Sequence, residues 1–485
     1  MVRISFYGLV MFAFFIQAFA EEFNLFGDAG QAYSLEVNLG QPPQKFNLLV
    51  DTGSTTLAIA SQARQGGKLF FKANQSSSLH DSGKQVQAKY SQGMWVGHLA
   101  SDLVQFPSLP DVPEVRTDLA LITESHKFFM NGSGWQGLLG LAYLPVGAWG
   151  ENIVVESWLD SVDRTLKRPK SFQLTLCGVK SATNATHYGN FQMLDDLSEN
   201  KNNNRTYRTP VLRKRWYEVG VLSVKALVDK ASVNTTVVAD AGPTPVTPAK
   251  YINNEMCLKL NEEKSIVDSG TTNIRLPDTV FREIVGEIRS AVPVTNVISD
   301  EFWYHGEAGC WPQPQDWALP WIAIDLLSVD ADNQYFTLEI PPQNYMRVVS
   351  AGAESAAPDF ICYKLGLEAG PETVLGYTAM EGLQVLFNRS AGWIGWQTSN
   401  CGSNARITGP YNVSTSLVDS CQLRRSVSET AVSIRAAQWA LCGVSIIAGA
   451  VLVYLLAPCV KVLCKKPMRT QQISLSQAAL VEQET

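Results

Sequence analysis

Hydrophobic and polar residues alternate in short runs along most of this chain, a pattern typical of β-strands. The runs 33–40 (YSLEVNLG), 45–50 (KFNLLV), 171–179 (SFQLTLCGV) and 335–342 (YFTLEIPP) are bounded by clusters of Gly, Pro, Asn and Ser. One stretch, Pro277 to Val292, instead repeats its apolar residues at helical spacing. The pattern predicts a mostly β region between about residues 32 and 420, with a few short helices.

Longer apolar runs mark the two ends of the chain. Arg3 precedes an apolar run that ends in AFA, a sequence of the A-x-A type found at cleavage sites. This pattern predicts a secretory signal peptide cleaved after Ala20. Residues 436–460 contain no charged residue and are long enough to cross a bilayer, and a basic segment follows them at once. A buried core helix is seldom this long, and a removable lipid-anchor signal would not precede a polar tail. We expect a single-pass type I membrane protein of the secretory pathway (Golgi, endosome or cell surface), with a luminal or extracellular ectodomain.

Composition supports a large folded ectodomain. The chain has 485 residues, enough for two sizeable lobes, with 46% hydrophobic and 17% charged residues. The formal net charge of −6 gives no basic surface for nucleic acid, so we expect no nucleic-acid partner.

The cysteines and glycosylation sequences fit an oxidising compartment. The ectodomain cysteines are even in number, which predicts three disulfides, although the sequence alone allows about fifteen pairings. Neither their spacing nor the scattered histidines predicts a metal site. N-x-S/T sequences predict glycosylation at Asn74, Asn131, Asn184, Asn204, Asn234, Asn388 and Asn412.

One short motif occurs twice. An apolar run leads into Asp51 in FNLLVDTGSTT (46–56), and another leads into Asp268 in SIVDSGTT (265–272). Each is followed much later by an apolar pair and glycine, in GLLGL (137–141) and TVLGY (373–377). The repeat is about 200 residues long, which is too large for a solenoid unit. It indicates two related lobes, each supplying one aspartate.

Two facing carboxylates are suited to acid–base chemistry. If Asp51 and Asp268 meet, they share one proton, so that one activates a water while the other polarises a carbonyl. Gly53 and Gly270 allow tight turns, and the hydroxyls of Ser54 and Thr271 can hold the carboxylates. No metal or cofactor is required. A single such motif could equally be an ordinary turn, and the second copy favours catalysis.

These motifs resemble those of the pepsin-like aspartic proteases, and among them the membrane-anchored beta-secretases. YSQGMWVGHLASDLV (90–104) is similar to the family's flap, SHKFFMNGSGWQGLLGLAY (125–143) to a segment with pocket aromatics, and KSIVDSGTTNIRLP (264–277) to the second active-site segment. The resemblance implies a mostly β, bilobal fold with pseudo-twofold related lobes and one C-terminal transmembrane helix. Besides catalytic Asp51 and Asp268, it implies substrate-binding residues Gly53, Ser54, Tyr90, Gln92, Trp95, Phe128, Trp135, Gly270, Thr271, Thr272 and Arg275.

The resemblance also carries expectations for individual residues. It implies that Arg275 accepts polar or acidic substrate side chains, although pairing with an acidic residue is the usual role of an arginine. Phe128 and Trp135 could likewise be core aromatics, and Tyr90 an ordinary strand residue. The disulfide pairs that it implies are Cys177–Cys401, Cys257–Cys421 and Cys310–Cys362.

The resemblance divides the chain into segments. Two departures from the family are a short N-terminal segment, where a longer propeptide is usual, and an apparent insertion at 228–251. We expect a signal peptide (1–20), a short segment with an absent or vestigial propeptide (21–31), an N-terminal lobe with the flap (32–210), a C-terminal lobe (211–421), a stalk (422–435), a transmembrane helix (436–460) and a cytoplasmic tail (461–485).

The expected function is that of a membrane-anchored aspartic endopeptidase. Its partners would be peptide or protein substrates, chiefly juxtamembrane segments of single-pass membrane proteins, and the bilayer through residues 436–460. Two alternatives are an inactive pepsin-fold binding protein or receptor and a structural or adhesive glycoprotein. Retention of both aspartates argues against the first, and the paired motifs argue against the second.

Overall fold

The sheets form between short strands that are close in space but often distant in sequence. In this computed structural model the described residues are 23–27, 32–63, 67, 69–91, 93–129, 134–143, 155–181, 184–195, 206–227, 252–292, 298–311, 318–330, 333–351, 361–423, 439, 441 and 443–456. The chain divides into two units, Met1–Arg424 and Arg425–Thr485. The signal peptide (1–20), the 228–251 stretch, most of the stalk and the 461–485 tail lie outside the described residues.

The first unit is built mainly from β-strands. Its strands are β1 (Leu25–Gly27), β2 (Ser34–Leu39), β3 (Gln44–Asp51), β4 (Leu57–Ala60), β5 (His80–Lys89), β6 (Met94–Gln105), β7 (Val115–His126), β8 (Gly137–Gly140), β9 (Lys170–Ser181), β10 (Asn184–Asp195), β11 (Tyr207–Pro210), β12 (Val221–Leu227), β13 (Ser265–Val267), β14 (Ile274–Leu276), β15 (Gly309–Trp311), β16 (Trp321–Leu327), β17 (Gln334–Ile340), β18 (Met346–Ala351), β19 (Ile361–Leu365), β20 (Leu367–Ala369), β21 (Thr373–Leu375), β22 (Leu383–Asn388), β23 (Trp393–Thr398) and β24 (Arg406–Asn412).

Short helices connect these strands. They are α1 (Trp158–Leu166), α2 (Asn254–Asn261), α3 (Asp278–Ser290), α4 (Asp300–His305), α5 (Pro342–Tyr345) and α6 (Thr415–Ser420), with 3₁₀ turns at Ala73–Gln75 and Tyr377–Ala379. The predicted helix is α3, which buries Val280, Phe281, Ile284, Val285 and Ile288. The quoted alternating runs correspond to β2, β3, β9 and β17, so the mostly β prediction is confirmed.

A single large sheet joins the two halves of the chain. Among the described residues its strand order is β11-β23-β22-β9-β10-β1-β2-β3-β8-β4-β7-β6-β5. Here β22, from the second half, pairs antiparallel with β9 from the first half. The two halves therefore share one continuous hydrogen-bonded sheet. The sheet includes β1, so its first strand begins at Leu25, before the lobe boundary expected at residue 32.

The sequence repeat corresponds to a structural repeat. In the first half, β3 pairs parallel with β8, β8 antiparallel with β4, and β4 parallel with β7. In the second half, β13 pairs parallel with β21, β21 antiparallel with β14, and β14 parallel with β20. Both motif aspartates thus stand at the carboxyl end of the first strand in matching four-strand units.

Three disulfides tie distant segments together. They are Cys177–Cys401, Cys257–Cys421 and Cys310–Cys362, the pairs that the resemblance implied. The first joins β9 to the segment after β23, and the second joins α2 to the end of α6. Because they close long loops, they restrict the unfolded chain.

The structure changes one glycosylation expectation. Asn388 is only 2% exposed, and its side-chain oxygen accepts a hydrogen bond from the Ala391 N–H, so the folded protein has no room for a glycan there. Asn74 and Asn412 are exposed. The side chain of Asn184 and all of Asn131, Asn204 and Asn234 lie outside what the structure describes.

The second unit contains a helical segment at residues 443–456. Its apolar side chains, including Ile446, Ile447 and Val453, are exposed. Within the described part of the chain, no helix combines the length and apolar character needed for a membrane span.

Candidate active site

Two equivalent loops hold the motif aspartates. Asp51 is the last residue of β3, and its carboxylate accepts hydrogen bonds from the Gly53 N–H at 2.8 Å and from the Ser54 hydroxyl. Asp268 follows β13, and its carboxylate accepts from the Gly270 N–H at 2.9 Å and the Thr271 hydroxyl at 2.7 Å. The two carboxylates therefore have the same pair of donors at the same sequence offsets.

The second residue of each motif locks the two loops together. The Thr52 hydroxyl donates to the Val267 carbonyl at 2.9 Å and accepts from the Ser269 N–H at 2.9 Å. The Ser269 hydroxyl in turn donates to the Val50 carbonyl at 2.7 Å and accepts from the Thr52 N–H at 3.1 Å. Sequence reasoning missed both residues, although a hydroxyl at this position of both motifs was a visible signal.

The loops approach each other so closely that only glycine fits at two positions. A Cβ on Gly53 would lie 2.6 Å from the Asp268 carboxyl carbon. A Cβ on Gly270 would lie 2.8 Å from the Asp51 carboxyl carbon. Both distances are far below ordinary contact, so glycine is required for the two carboxylates to face each other.

The electrostatics of the pair match a shared proton. Burial and the negative charge of Asp268 raise the pKa of Asp51 well above its ordinary value, and the hydrogen bonds from Ser54 and Gly53 only partly oppose this shift. Two carboxylates within hydrogen-bonding reach cannot both ionise readily. The pair can therefore hold one proton while presenting one carboxylate.

The β5–β6 hairpin covers this pair. Tyr90, at its turn, lies within hydrogen-bonding reach of Ser54, and burial together with the charge of Asp51 raises its pKa. The Trp95 Nε1–H donates to the Tyr90 hydroxyl at 3.3 Å. The expected flap thus lies over the aspartates, with Tyr90 at its tip; Gln92 lies outside the described residues.

Aromatic residues form a wall beside the flap. The Phe128 ring centroid lies 5.4 Å from that of Tyr90 and 5.7 Å from that of Trp135. Phe128 is partly exposed, whereas Trp135 is 5% exposed. Trp95 was expected to bind substrate, but the structure buries it fully and places it in contact with Tyr90.

Arg275 departs from its expected role. It was expected to accept polar or acidic substrate side chains, but its guanidinium is already paired with Glu368 and Glu372. Burial lowers the pKa of Arg275, and the two carboxylates more than reverse this effect. In the structure Arg275 is thus paired with acidic residues, which is the usual role of an arginine.

A buried polar cluster supports the Asp268 loop from below. The Glu381 carboxylate accepts from the Tyr33 hydroxyl at 2.9 Å and lies 3.0 Å from His187 Nδ1. Arg347 donates to the Tyr377 hydroxyl at 2.8 Å, and one of its nitrogens lies 3.9 Å from Glu381. Backbone hydrogen bonds connect this cluster to the Asp268 loop. The Tyr377 N–H donates to the Thr271 carbonyl, and the Thr378 N–H donates to the Thr272 carbonyl. Sequence reasoning did not identify this cluster.

The described residues contain no group of three or more His, Cys, Asp or Glu side chains that could hold a metal ion.

This geometry brings together two matching aspartate motifs, one from each half of the chain, and the comparisons with known proteins agree. The sequence model of the eukaryotic aspartyl protease family matches residues 32–396. The chain belongs to this family, whose members act on peptide substrates.

Several curated proteins are similar to this chain. A protein named Beta-secretase from Strongylocentrotus purpuratus is 30% identical over 439 residues, covering 84% of this chain and 75% of the relative. Vacuolar protease A from Aspergillus fumigatus is 26% identical over 237 residues, covering 47% of this chain and 57% of that protein. Pregnancy-associated glycoprotein 2 from Sus scrofa is 28% identical over 129 residues, covering 26% and 30%.

Proposed function

We propose that this protein is a membrane-anchored, beta-secretase-like aspartic endopeptidase, with Asp51 and Asp268 as its catalytic residues. The observation that carries this proposal is the matched environment of the two carboxylates, each held by a glycine N–H and a hydroxyl and brought face to face by interlocked loops. The similarity to the sea-urchin protein named Beta-secretase supports the finer assignment.

In the proposed reaction the two carboxyls act as one unit. The ionised carboxyl removes a proton from a water molecule, while the protonated one donates a hydrogen bond to the peptide carbonyl. Water attack forms a tetrahedral intermediate, and return of a proton to the amide nitrogen breaks the C–N bond. The products are a new carboxyl terminus and a new amino terminus.

The flap favours an extended peptide as substrate. A turn joins strands β5 and β6 over the pair Asp51 and Asp268, which we call the dyad. A peptide lying beneath Tyr90 can therefore pair its backbone with the hairpin. The partly exposed Phe128, which packs against the buried Trp135, supplies apolar surface beside it. Side-chain contacts then select which bond reaches the dyad.

We further propose that residues 436–460 anchor the protein in a membrane of the secretory pathway as a type I protein. The supporting observations are the uncharged sequence, the exposed apolar helix at 443–456 and the three disulfides. Anchoring raises the effective concentration of juxtamembrane segments of other membrane proteins, which makes them the expected substrates.

The pH dependence of cleavage tests the chemistry. We expect a bell-shaped profile of kcat/KM with an acidic optimum, because the active dyad holds one proton. Burial and the charge of Asp268 raise the pKa of Asp51 to about 8, so the pair keeps its proton through the acidic and neutral range, and activity falls as that proton is lost around pH 8. Activity also falls at low pH, where the pair no longer offers an ionised carboxyl to remove a proton from water. Quenched-peptide cleavage by the full-length chain in detergent, from about pH 3 to about pH 9, measures this, and undiminished activity at the alkaline end would contradict it.

Membrane extraction tests the anchor. We expect the full-length chain to stay in the membrane fraction after alkaline carbonate treatment, because an apolar helix of this length resists extraction. A chain ending at Arg424, where the first unit ends, should appear in the soluble fraction. Complete extraction of the full-length chain would show that residues 436–460 do not span the bilayer.

An inactive binding protein of the same fold remains the second candidate. Its distinguishing result is a folded, disulfide-bonded protein that binds peptides but cleaves none at any pH. The complete set of donors around both aspartates favours catalysis.

A further inference from the structure

Arg275 stands between two carboxylates at one end of the flap. Its Nε donates to Glu368 Oε1 at 2.7 Å, and its Nη1 donates to Glu372 Oε1 at 3.0 Å. The first contact is fixed by sheet register, because Arg275 on β14 is the direct cross-strand neighbour of Glu368 on β20. Glu372 immediately precedes β21, which pairs with the other side of β14.

This cluster faces the region beneath the flap. Arg275 Nη2 donates to the Ser91 hydroxyl at 3.3 Å. Ser91 follows Tyr90, whose hydroxyl lies within reach of Ser54 beside Asp51. Arg275 and its two partners therefore lie next to the space that a peptide under the flap would occupy.

The carboxylates dominate the charge that this cluster presents. The Arg275 side chain is 9% exposed, whereas those of Glu368 and Glu372 are 25% and 19% exposed. One guanidinium and two carboxylates leave a net negative charge, and the accessible part of the cluster belongs mainly to the carboxylates. The proton-sharing dyad adds negative charge of its own.

We propose that Glu368 and Glu372 are specificity-determining residues that make this enzyme prefer a basic substrate side chain, and reject an acidic one, at the position beside Arg275. This proposal rests on the proposed endopeptidase function. It reverses the preference that an unpaired arginine would give, because an acidic side chain would meet two carboxylates. A lysine or arginine side chain could instead form a partly desolvated ion pair with them.

The test uses matched peptides that differ at one position. For a peptide that the enzyme cleaves, each residue near the scissile bond is replaced in turn by Lys, Gln or Glu. The full-length chain in detergent is assayed at about pH 6, above the ordinary pKa of a glutamate. At one position we expect kcat/KM for the Lys peptide to exceed that for the Glu peptide by about tenfold or more. In Glu368→Gln, Glu372→Gln and the double variant, this ratio should fall stepwise towards or below one.

Glu283→Gln is the matched control, because Glu283 is exposed on α3 and lies outside the cluster. Its Lys-to-Glu ratio should equal that of the wild type. If the cluster variants fail to fold, the salt dependence of the wild type still tests the proposed charge preference. At the selective position, added salt should weaken cleavage of the Lys peptide relative to the Gln peptide, since screening weakens attraction between charges.

The outcomes separate the two proposals. No cleavage of any peptide by the folded wild type would overturn the endopeptidase function itself. Cleavage with no position that prefers Lys over Glu would overturn only the specificity proposal. So would a Lys preference that persists unchanged in the double variant, or that is insensitive to salt.

Discussion

Replacing Asp51 or Asp268 by Asn is expected to lower kcat/KM for peptide cleavage by roughly 10²–10⁴-fold. Asn keeps the shape of the side chain and can still accept a hydrogen bond from Gly53 or Gly270, but it cannot exchange a proton. The dyad then lacks either its base or its acid. Because the loops remain interlocked through Thr52 and other residues, the fold should be retained.

Initial rates on a quenched peptide at the acidic optimum measure this effect. Asp111→Asn is the control, since Asp111 is an exposed aspartate outside the site, and it should cleave at the wild-type rate. Near-ultraviolet circular dichroism checks that each variant is folded. Retention of more than about a tenth of the wild-type rate by either dyad variant would show that its carboxyl is not a catalytic acid or base.

Replacing Glu381 by Gln is expected to lower the free energy of unfolding by about 3–5 kcal/mol near neutral pH. Glu381 is 5% exposed, and burial raises its pKa, but His187, Arg347 and Tyr33 together hold that pKa below its ordinary value. The carboxylate therefore stabilises the fold above the pKa of the unfolded glutamate, and this contribution disappears as pH falls through the folded pKa. Gln leaves the positive charge of Arg347 buried without its anion.

Denaturant unfolding of the oxidised protein measures this loss. Glu283→Gln on the exposed face of α3 should change stability by less than about 0.5 kcal/mol. Removing both charges, in Glu381→Gln with Arg347→Met, should recover part of the loss, since the second substitution removes the unpaired cation. A loss below about 1 kcal/mol in the single variant would mean that the cluster contributes little.

Much of the fold follows from local sequence. The short alternating runs predict β2, β3, β9 and β17, and α3 has the expected helical spacing. The meeting of Asp51 and Asp268 also follows from the sequence, because a repeated strand-and-turn motif in two related halves brings equivalent loops together. The disulfide pairing followed only from the family resemblance.

The remaining features depend on contacts that no local pattern specifies. Glu368 and Glu372 lie far along the chain from Arg275, and only sheet register makes them its partners. The burial of Trp95 and Asn388 likewise depends on the packing of other elements around them. The family resemblance implied substrate-binding roles for Arg275 and Trp95, and the N-x-S/T sequence predicted a glycan on Asn388, whereas the tertiary fold determines the neighbours of each.

The hydroxyls of Thr52 and Ser269 are an intermediate case. Their sequence position is visible in both motifs, but their role is clear only when the two loops are placed face to face. Strand β1 could not be predicted from its own short sequence, which shows little alternation. Its backbone completes the sheet between β2 and β10.

The central claim is that Asp51 and Asp268 form one catalytic unit, and the double variant Asp51→Asn/Asp268→Asn tests it most directly. Its rate of peptide cleavage is compared with those of the two single variants and the wild type at the acidic optimum. We predict that the double variant is no slower than either single variant, because losing one carboxyl already removes the shared proton. Losses that multiply would contradict it, since they would mean that the two aspartates act independently.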